Sequence, residues 1–345
     1  MNEMKQKLTL RQIAKLAGTS KSTVSRVLTS HPSVSPKTRA RIDAVIKKHK
    51  FKPNLFARGL AGGRTGLIAV LTSEINSGFY AEVIKGIDQV ASQHQGHLLS
   101  SFAHGIDDYI DLWESFAEGG RVDGMILIAP PMEILNCKLR PGMIPVTLCS
   151  CRTQDMKKGW DQVDSVTVDN ETAMIDVLKH LQEQGCSRFG FVAGPDNVFD
   201  ALERKRAFEK FIAEHPNLMG SLIPAHMTRE SGRTAILNYL QQSSLPVDAF
   251  VAVNDLAALG TLEALKELGL AVPKNVAVTG FDDDSASGIL GLTTIHMPML
   301  DLGRETARLL FERLARQREA LPVQHSTVGM TLKIRTTSLR SQSPA

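Results

Sequence analysis

The chain has 345 residues, of which 43% are hydrophobic and 22% charged, which excludes a disordered chain and allows two or three domains. Residues 1–64 hold 15 Lys+Arg against 2 Asp+Glu, a net of +13, and the whole-chain totals of 40 and 36 leave the remainder a net of −9. A basic head on an acidic body points to a polyanion partner for the head alone.

The first elements in chain order are two short helices within Leu8–Leu28. Leu10, Ile13, Ala14 and Ala17 recur at helical spacing, and Gly18 breaks the run where a turn needs positive φ. Ser20 is placed to cap a second helix that turns Val24, Val27 and Leu28 inward and leaves Lys21, Ser22, Ser25 and Arg26 outward. This is the layout of a helix-turn-helix that enters a major groove, and equally of a helical hairpin with a solvated basic face. A third helix is expected after Ser35, with Pro36 at its first position. Residues 53–64 follow as a linker ending in Gly62 and Gly63.

From Leu67 onward, short apolar runs alternate with helical stretches. Strands are expected at Leu67–Leu71, His97–Phe102, Gly124–Ala129, Pro145–Leu148, Val163–Val168, Phe189–Ala193, Ala249–Val253 and Val276–Gly280, and a last one within Val323–Arg335. Helices are expected between them, from Ala81–Gln93 to Leu300–Arg318. The alternation predicts two α/β lobes with parallel sheets and a ligand cleft at the carboxyl ends of the strands.

Several function classes find no support. No apolar run approaches the ~18–20 residues of a membrane span, and Met1–Leu10 has no apolar core of a signal peptide, so a cytoplasmic protein without a membrane partner is expected. Cys137, Cys149, Cys151 and Cys186 lack zinc-site spacing and are expected as reduced thiols. No dinucleotide fingerprint, nucleophile elbow or metal-spaced His/Glu cluster occurs, so no catalytic residue, metal or cofactor is expected.

The segments TLRQIAKLAGTSKSTVSRVL, PNLFARGLAGGRTG, FYAEVIKGI, VDGMILIAP, VNDLAALG and LTTIHMPMLDLG, in this order, resemble the LacI (lactose repressor) family of bacterial transcription regulators. The resemblance runs from Leu8 to about Thr337. It implies an all-α helix-turn-helix head at 8–52, a hinge at 53–64, and a periplasmic-binding-protein-like α/β body at 65–340. Lobe 1 is expected at 65–162 and 296–322, and lobe 2 at 163–293 and 323–340. It also implies a repressor that binds a palindromic operator as a homodimer or dimer of dimers, gated by a small carbohydrate-derived effector.

For DNA, the resemblance puts Lys21, Ser22 and Arg26 at base edges and Thr9, Ser20, Thr23, Ser25 and Thr29 at phosphates, with Asn54 and Leu60 contributed by the hinge. Leu60 would be a minor-groove wedge; its alternative is packing against the body. For the effector it implies Phe79, Tyr80, Arg204, Asn254 and Asp282. The alternatives are a capping role for Asp282 and a pairing of Arg204 with Glu203 or Asp200. Three positions depart from the family pattern: Ser150 stands, two residues before Arg152, where relatives place an acid; Met227 where an aromatic is frequent; Met297 where an amide is frequent. These make the cleft less acidic, and Arg204 with Arg152 would then suit a sugar acid or phosphorylated sugar.

Overall fold

The structure is a computed structural model that describes residues 8–28, 32–51, 64–73, 78–117, 120–136, 144–152, 160–242, 247–316, 319 and 321–340. The chain divides into two compact units, Met1–Thr65 and Gly66–Ala345.

The first unit contains α1 (Leu10–Leu16), α2 (Lys21–Leu28) and α3 (Pro36–Lys48). Each start has a local cause. Thr9 caps α1 in a reciprocal capping box with Gln12, Ser20 accepts from the Thr23 amide at 3.1 Å, and Ser35 accepts from the Thr38 amide at 3.3 Å, with Pro36 in the first turn. Gly18 adopts φ +59°, the left-handed turn that α1 requires at its end. Ile13, Ala14, Ala17, Val24, Val27 and Ile42 close a small core, and Arg39 ties α3 to α2 by donating to the Val27 carbonyl at 3.3 Å.

The second unit is two lobes. Lobe 1 is built on a six-stranded parallel sheet, in the order β11-β5-β4-β3-β1-β2. Its strands are β1 (Leu67–Thr72), β2 (His97–Phe102), β3 (Gly124–Ile128), β4 (Val146–Cys149), β5 (Asp164–Val168) and β11 (His325–Val328). The helices α4 (Gly78–Gln93), α5 (Ile106–Ala117), α6 (Met132–Asn136) and α12 (Met299–Ala315) belong to this lobe. Lobe 2 has a four-stranded parallel sheet of β7 (Met219–Pro224), β6 (Arg188–Ala193), β8 (Ala249–Ala252) and β9 (Ala277–Thr279). Around it lie α7 (Asn170–Glu183), α8 (Phe199–Glu214), α9 (Arg229–Gln242), α10 (Asp255–Glu267) and α11 (Ser285–Leu290), with an antiparallel ribbon of β10 (Thr294–His296) and β12 (Thr331–Lys333). Sheet strands such as β3 and β8 are buried along their whole length, as both faces of a parallel sheet require.

Three segments join the lobes: Asp169 between β5 and α7, Met297–Pro298 between β10 and α12, and Gly329–Met330 between β11 and β12. The expected lobe boundaries are corrected here. Residues 164–168 and 325–328 belong to lobe 1, because β11 pairs with β5 in parallel register, Ser326 opposite Val166. The expected single strand within Val323–Arg335 is two strands in different sheets. Cys149, Cys151 and Cys186 are free and buried, while Cys137 lies outside the described residues.

Candidate functional site

The head presents its polar side chains along α2. Lys21, Ser22, Ser25 and Arg26 are exposed there, Thr23 is half-buried, and Val24 and Val27 anchor the opposite face. The serine hydroxyls are ordered by each other: Ser20 Oγ lies 2.7 Å from Ser22 Oγ and 2.8 Å from Thr23 Oγ1. Thr9 and Ser20 therefore also serve as helix caps. An exposed helix face with Lys21 in its first turn and Arg26 in its last suits phosphate and guanine-edge contacts. Thr29, Asn54 and Leu60 lie outside the described residues.

In the body, a cavity of about 210 Å³ opens between the lobes. Lobe 1 supplies Phe79 and Tyr80 from the first turn of α4, set edge to face at 5.1 Å, and Ala129 after β3. Lobe 2 supplies Asp200, Arg204, Met227, Asn254 and Asp282, and the second crossover supplies Met297. Seven of the nine side chains expected from the sequence thus line one cavity.

The floor is a connected polar chain. Arg204, 1% exposed, donates through Nε to Asn170 Oδ1 at 2.9 Å and through Nη1 to the Val253 carbonyl at 2.7 Å. Its guanidinium lies 3.6 Å above the Phe281 ring and 3.6 Å from Asp282 Oδ1. Asn170 in turn donates to Asp200 Oδ1 at 2.8 Å, and Ser150 Oγ donates to Asp200 Oδ2. Burial pushes the Asp282 carboxyl well above the usual range, and the Arg204 charge pulls it back only in part. Asp282 sits at φ +118°, and Ala129 and Ser150 also carry positive φ. Strained backbone thus collects at the cleft ends of the strands, a common place for it.

These contacts decide the open alternatives. Arg204 pairs with Asp282, whereas Glu203 pairs with Arg206 at 3.2 Å. The turn is capped by Asp284, which accepts from the Ser285 amide at 2.5 Å. Asn254 caps α10, accepting from the Ala257 amide at 2.9 Å, while its amide donates to the Met227 carbonyl at 3.2 Å.

Two expectations are corrected. Neither Ser150 nor Arg152 is among the cavity-lining residues. Ser150 is fully buried and its hydroxyl is spent on Asp200. Arg152 thus does not join Arg204 in the lining of this cavity. Asp200 and Asn170 were not anticipated as site residues. The sole signal for Asp200 was its place four residues before Arg204, one helical turn away on the same face.

The profile described as bacterial regulatory proteins, lacI family, matches residues 9–54, and that of a periplasmic binding protein-like domain matches residues 178–338. The HTH-type transcriptional regulator CelR of Thermobifida fusca is 30% identical over 324 residues, 90% of this chain and 93% of that protein. Catabolite control protein A of Priestia megaterium is 28% identical over 310 residues, 88% of this chain and 91% of that protein. Among solved structures, a transcriptional regulator CelR–cellobiose complex aligns with a TM-score of 0.71 at 27% identity, covering 96% of this chain and 99% of that one. A lac repressor dimer bound to operator and the anti-inducer ONPF shares the fold, with a TM-score of 0.82 at 24% identity over 97% of this chain and 100% of that one.

Proposed function

Because this chain belongs to the LacI family of bacterial regulatory proteins, we propose that it represses transcription as a homodimer on a palindromic operator and is gated by a neutral carbohydrate. Its class is that of a DNA-binding transcriptional regulator with an effector-binding domain, and not of an enzyme. A two-fold dimer presents two α2 helices to two half-sites, which is why the operator is expected to be palindromic. Within each head, Lys21, Ser22 and Arg26 read bases, and Thr9, Ser20, Thr23 and Ser25 hold phosphates. Thr29, Asn54 and Leu60 are assigned to DNA by family resemblance. The domain division is 8–52 for the head, 53–64 for the hinge and 65–340 for the body.

The observation that carries the effector class is the occupancy of Arg204. Its guanidinium is bonded to Asn170 and the Val253 carbonyl and lies 3.6 Å from Asp282. The lining contains two carboxylates, Asp200 and Asp282, against this one guanidinium. With this guanidinium already bonded, the cavity favours hydroxyl groups, which its carboxyl oxygens can accept from, over anions. Phe79 and Tyr80 offer ring faces to the apolar side of a sugar, with Met227 and Met297 as adaptable apolar walls. The CelR neighbour holds cellobiose, which supports a carbohydrate here. Effector binding changes DNA affinity only by its differential affinity for the two body states.

The test is a thermal-shift screen of the full-length protein against neutral mono- and disaccharides, cellobiose included, beside sugar acids and sugar phosphates. A shift with a neutral sugar, lost in Asp282→Ala, is expected. Shifts confined to the anionic compounds would refute the neutral class.

A further inference from the structure

The opening turn of α8 and the residue pair before it cross from lobe 2 into lobe 1. The Met132 amide, at the start of α6, donates to the Asn197 carbonyl at 3.0 Å. The Asn197 side chain donates back to Glu133 Oε1 at 3.1 Å. Phe199 packs against the lobe 1 core that contains Trp113, Ile134 and Trp160. One residue on, Asp200 takes the Ser150 hydroxyl of lobe 1. Four contacts, two from Asn197 and one each from Phe199 and Asp200, thus reach the opposite lobe. Asp200 differs from the rest in that it also lines the cavity and, through Asn170, holds the first crossover and Arg204.

We propose that residues 197–200 form a clasp that sets the balance between open and closed lobes, with Asp200 as its effector-facing positioning residue. The carboxylate is 5% exposed and accepts one bond from each lobe. A carboxylate oxygen accepts more than one bond, so Asp200 keeps acceptor capacity for a ligand hydroxyl. A ligand donating to Asp200 would share that carboxylate with the Ser150 hydroxyl of lobe 1, which couples its binding to the clasp. Closure of two domains about a few crossover residues is a familiar transition, and here the group that reads the ligand is itself part of the contact that closes. The donor of this bond, Ser150, is on lobe 1 and the acceptor, Asp200, on lobe 2, so each lobe holds the partner that the other lacks.

The effector half of this proposal rests on the cleft being an effector site. The clasp itself is therefore tested on ligand-free, full-length protein, so its failure leaves the regulator reading untouched. Amide exchange at Met132 reports the interlobe bond to Asn197 directly. Ser150→Ala and Asp200→Ala should each speed this exchange by roughly 10- to 100-fold, the range for losing a hydrogen bond to a charged group. The double variant should exchange no faster than Asp200→Ala alone, since the shared bond is already gone. Amides of β6, central in the lobe 2 sheet, should keep their protection and certify folding. Should Asp200→Ala disturb lobe 2, Ser150→Ala still tests the bond from the other lobe. Unchanged Met132 exchange in Ser150→Ala, or additive effects of the two substitutions, would overturn the proposal.

Discussion

Arg204→Met is the perturbation that bears most directly on the effector site. Methionine keeps an apolar stem over Phe281 but removes the guanidinium. Three groups then lose a partner: Asp282 at 3.6 Å, the Val253 carbonyl at 2.7 Å and Asn170 Oδ1 at 2.9 Å. Removing one member of a buried ion pair costs about 3–5 kcal/mol. Part of that is relieved because Asp282, already pushed up by burial, can take a proton. A net loss near 3 kcal/mol is expected, and at about 2–4 °C per kcal/mol for a domain of this size the body should melt roughly 6–12 °C lower. The sign of its pH dependence follows. Without Arg204, the folded-state pKa of Asp282 rises further above its unfolded value. The proton-linked stability is then present in acid and lost as pH rises through the folded pKa. The deficit of the variant should therefore shrink on acidification. Scanning calorimetry of wild type and variant over a pH series measures this. A melting change under about 2 °C, with no pH dependence, would refute the placement of Arg204 at the centre of the polar floor.

Other outcomes follow from the same contacts. Arg26→Ala and Lys21→Ala should each cost about 1–3 kcal/mol in binding to the selected operator and relax preference at the base pair that each reads; anisotropy titrations against operators with single base-pair changes check this. His180 is buried against Ser338, 2.7 Å from Nε2 to Oγ, and burial lowers its pKa below 6.5. Its stabilising contribution is present above 6.5 and is lost as pH falls towards the folded value. Burial raises Asp248, but bonds from Arg188 and from the Ser187 and Arg188 amides prevail and hold it down to about 2, so its contribution is lost as pH falls from 3.8 through that value. Two steps of acid destabilisation should appear in urea titrations, and His180→Gln should remove the upper one. Gly303→Ala should destabilise the body by about 1–3 kcal/mol, because a Cβ there would strike the Val83 carbonyl of α4.

Much of the head was legible because its causes are local. Gly18, Ser20, Ser35 and Pro36 act within four residues of themselves, and each does what its spacing implies. The body strands with continuous apolar runs were legible for the same reason. The edge strand β7 was not, since it is half exposed and contains Gly220 and Ser221 in place of an apolar run. Nor were the crossovers, because pairing of β11 with β5 joins residues about 160 positions apart, for which a single sequence has no local sign. The same distance explains the site. Family resemblance points to Phe79, Tyr80 and Arg204; the first two open α4, whereas Arg204 lies in the second turn of α8. The use of Ser150 depends on Asp200, 50 residues away, and only the folded arrangement shows that the acid faces the cavity from the other lobe.

If the head reads DNA in sequence-specific fashion, selection of genomic fragments by the full-length protein will show it. Wild type should enrich a short palindrome at moderate salt, and the Lys21→Ala, Arg26→Ala double variant, with an unchanged melting profile, should enrich none. Equal enrichment by both, or no palindrome with wild type, would contradict it.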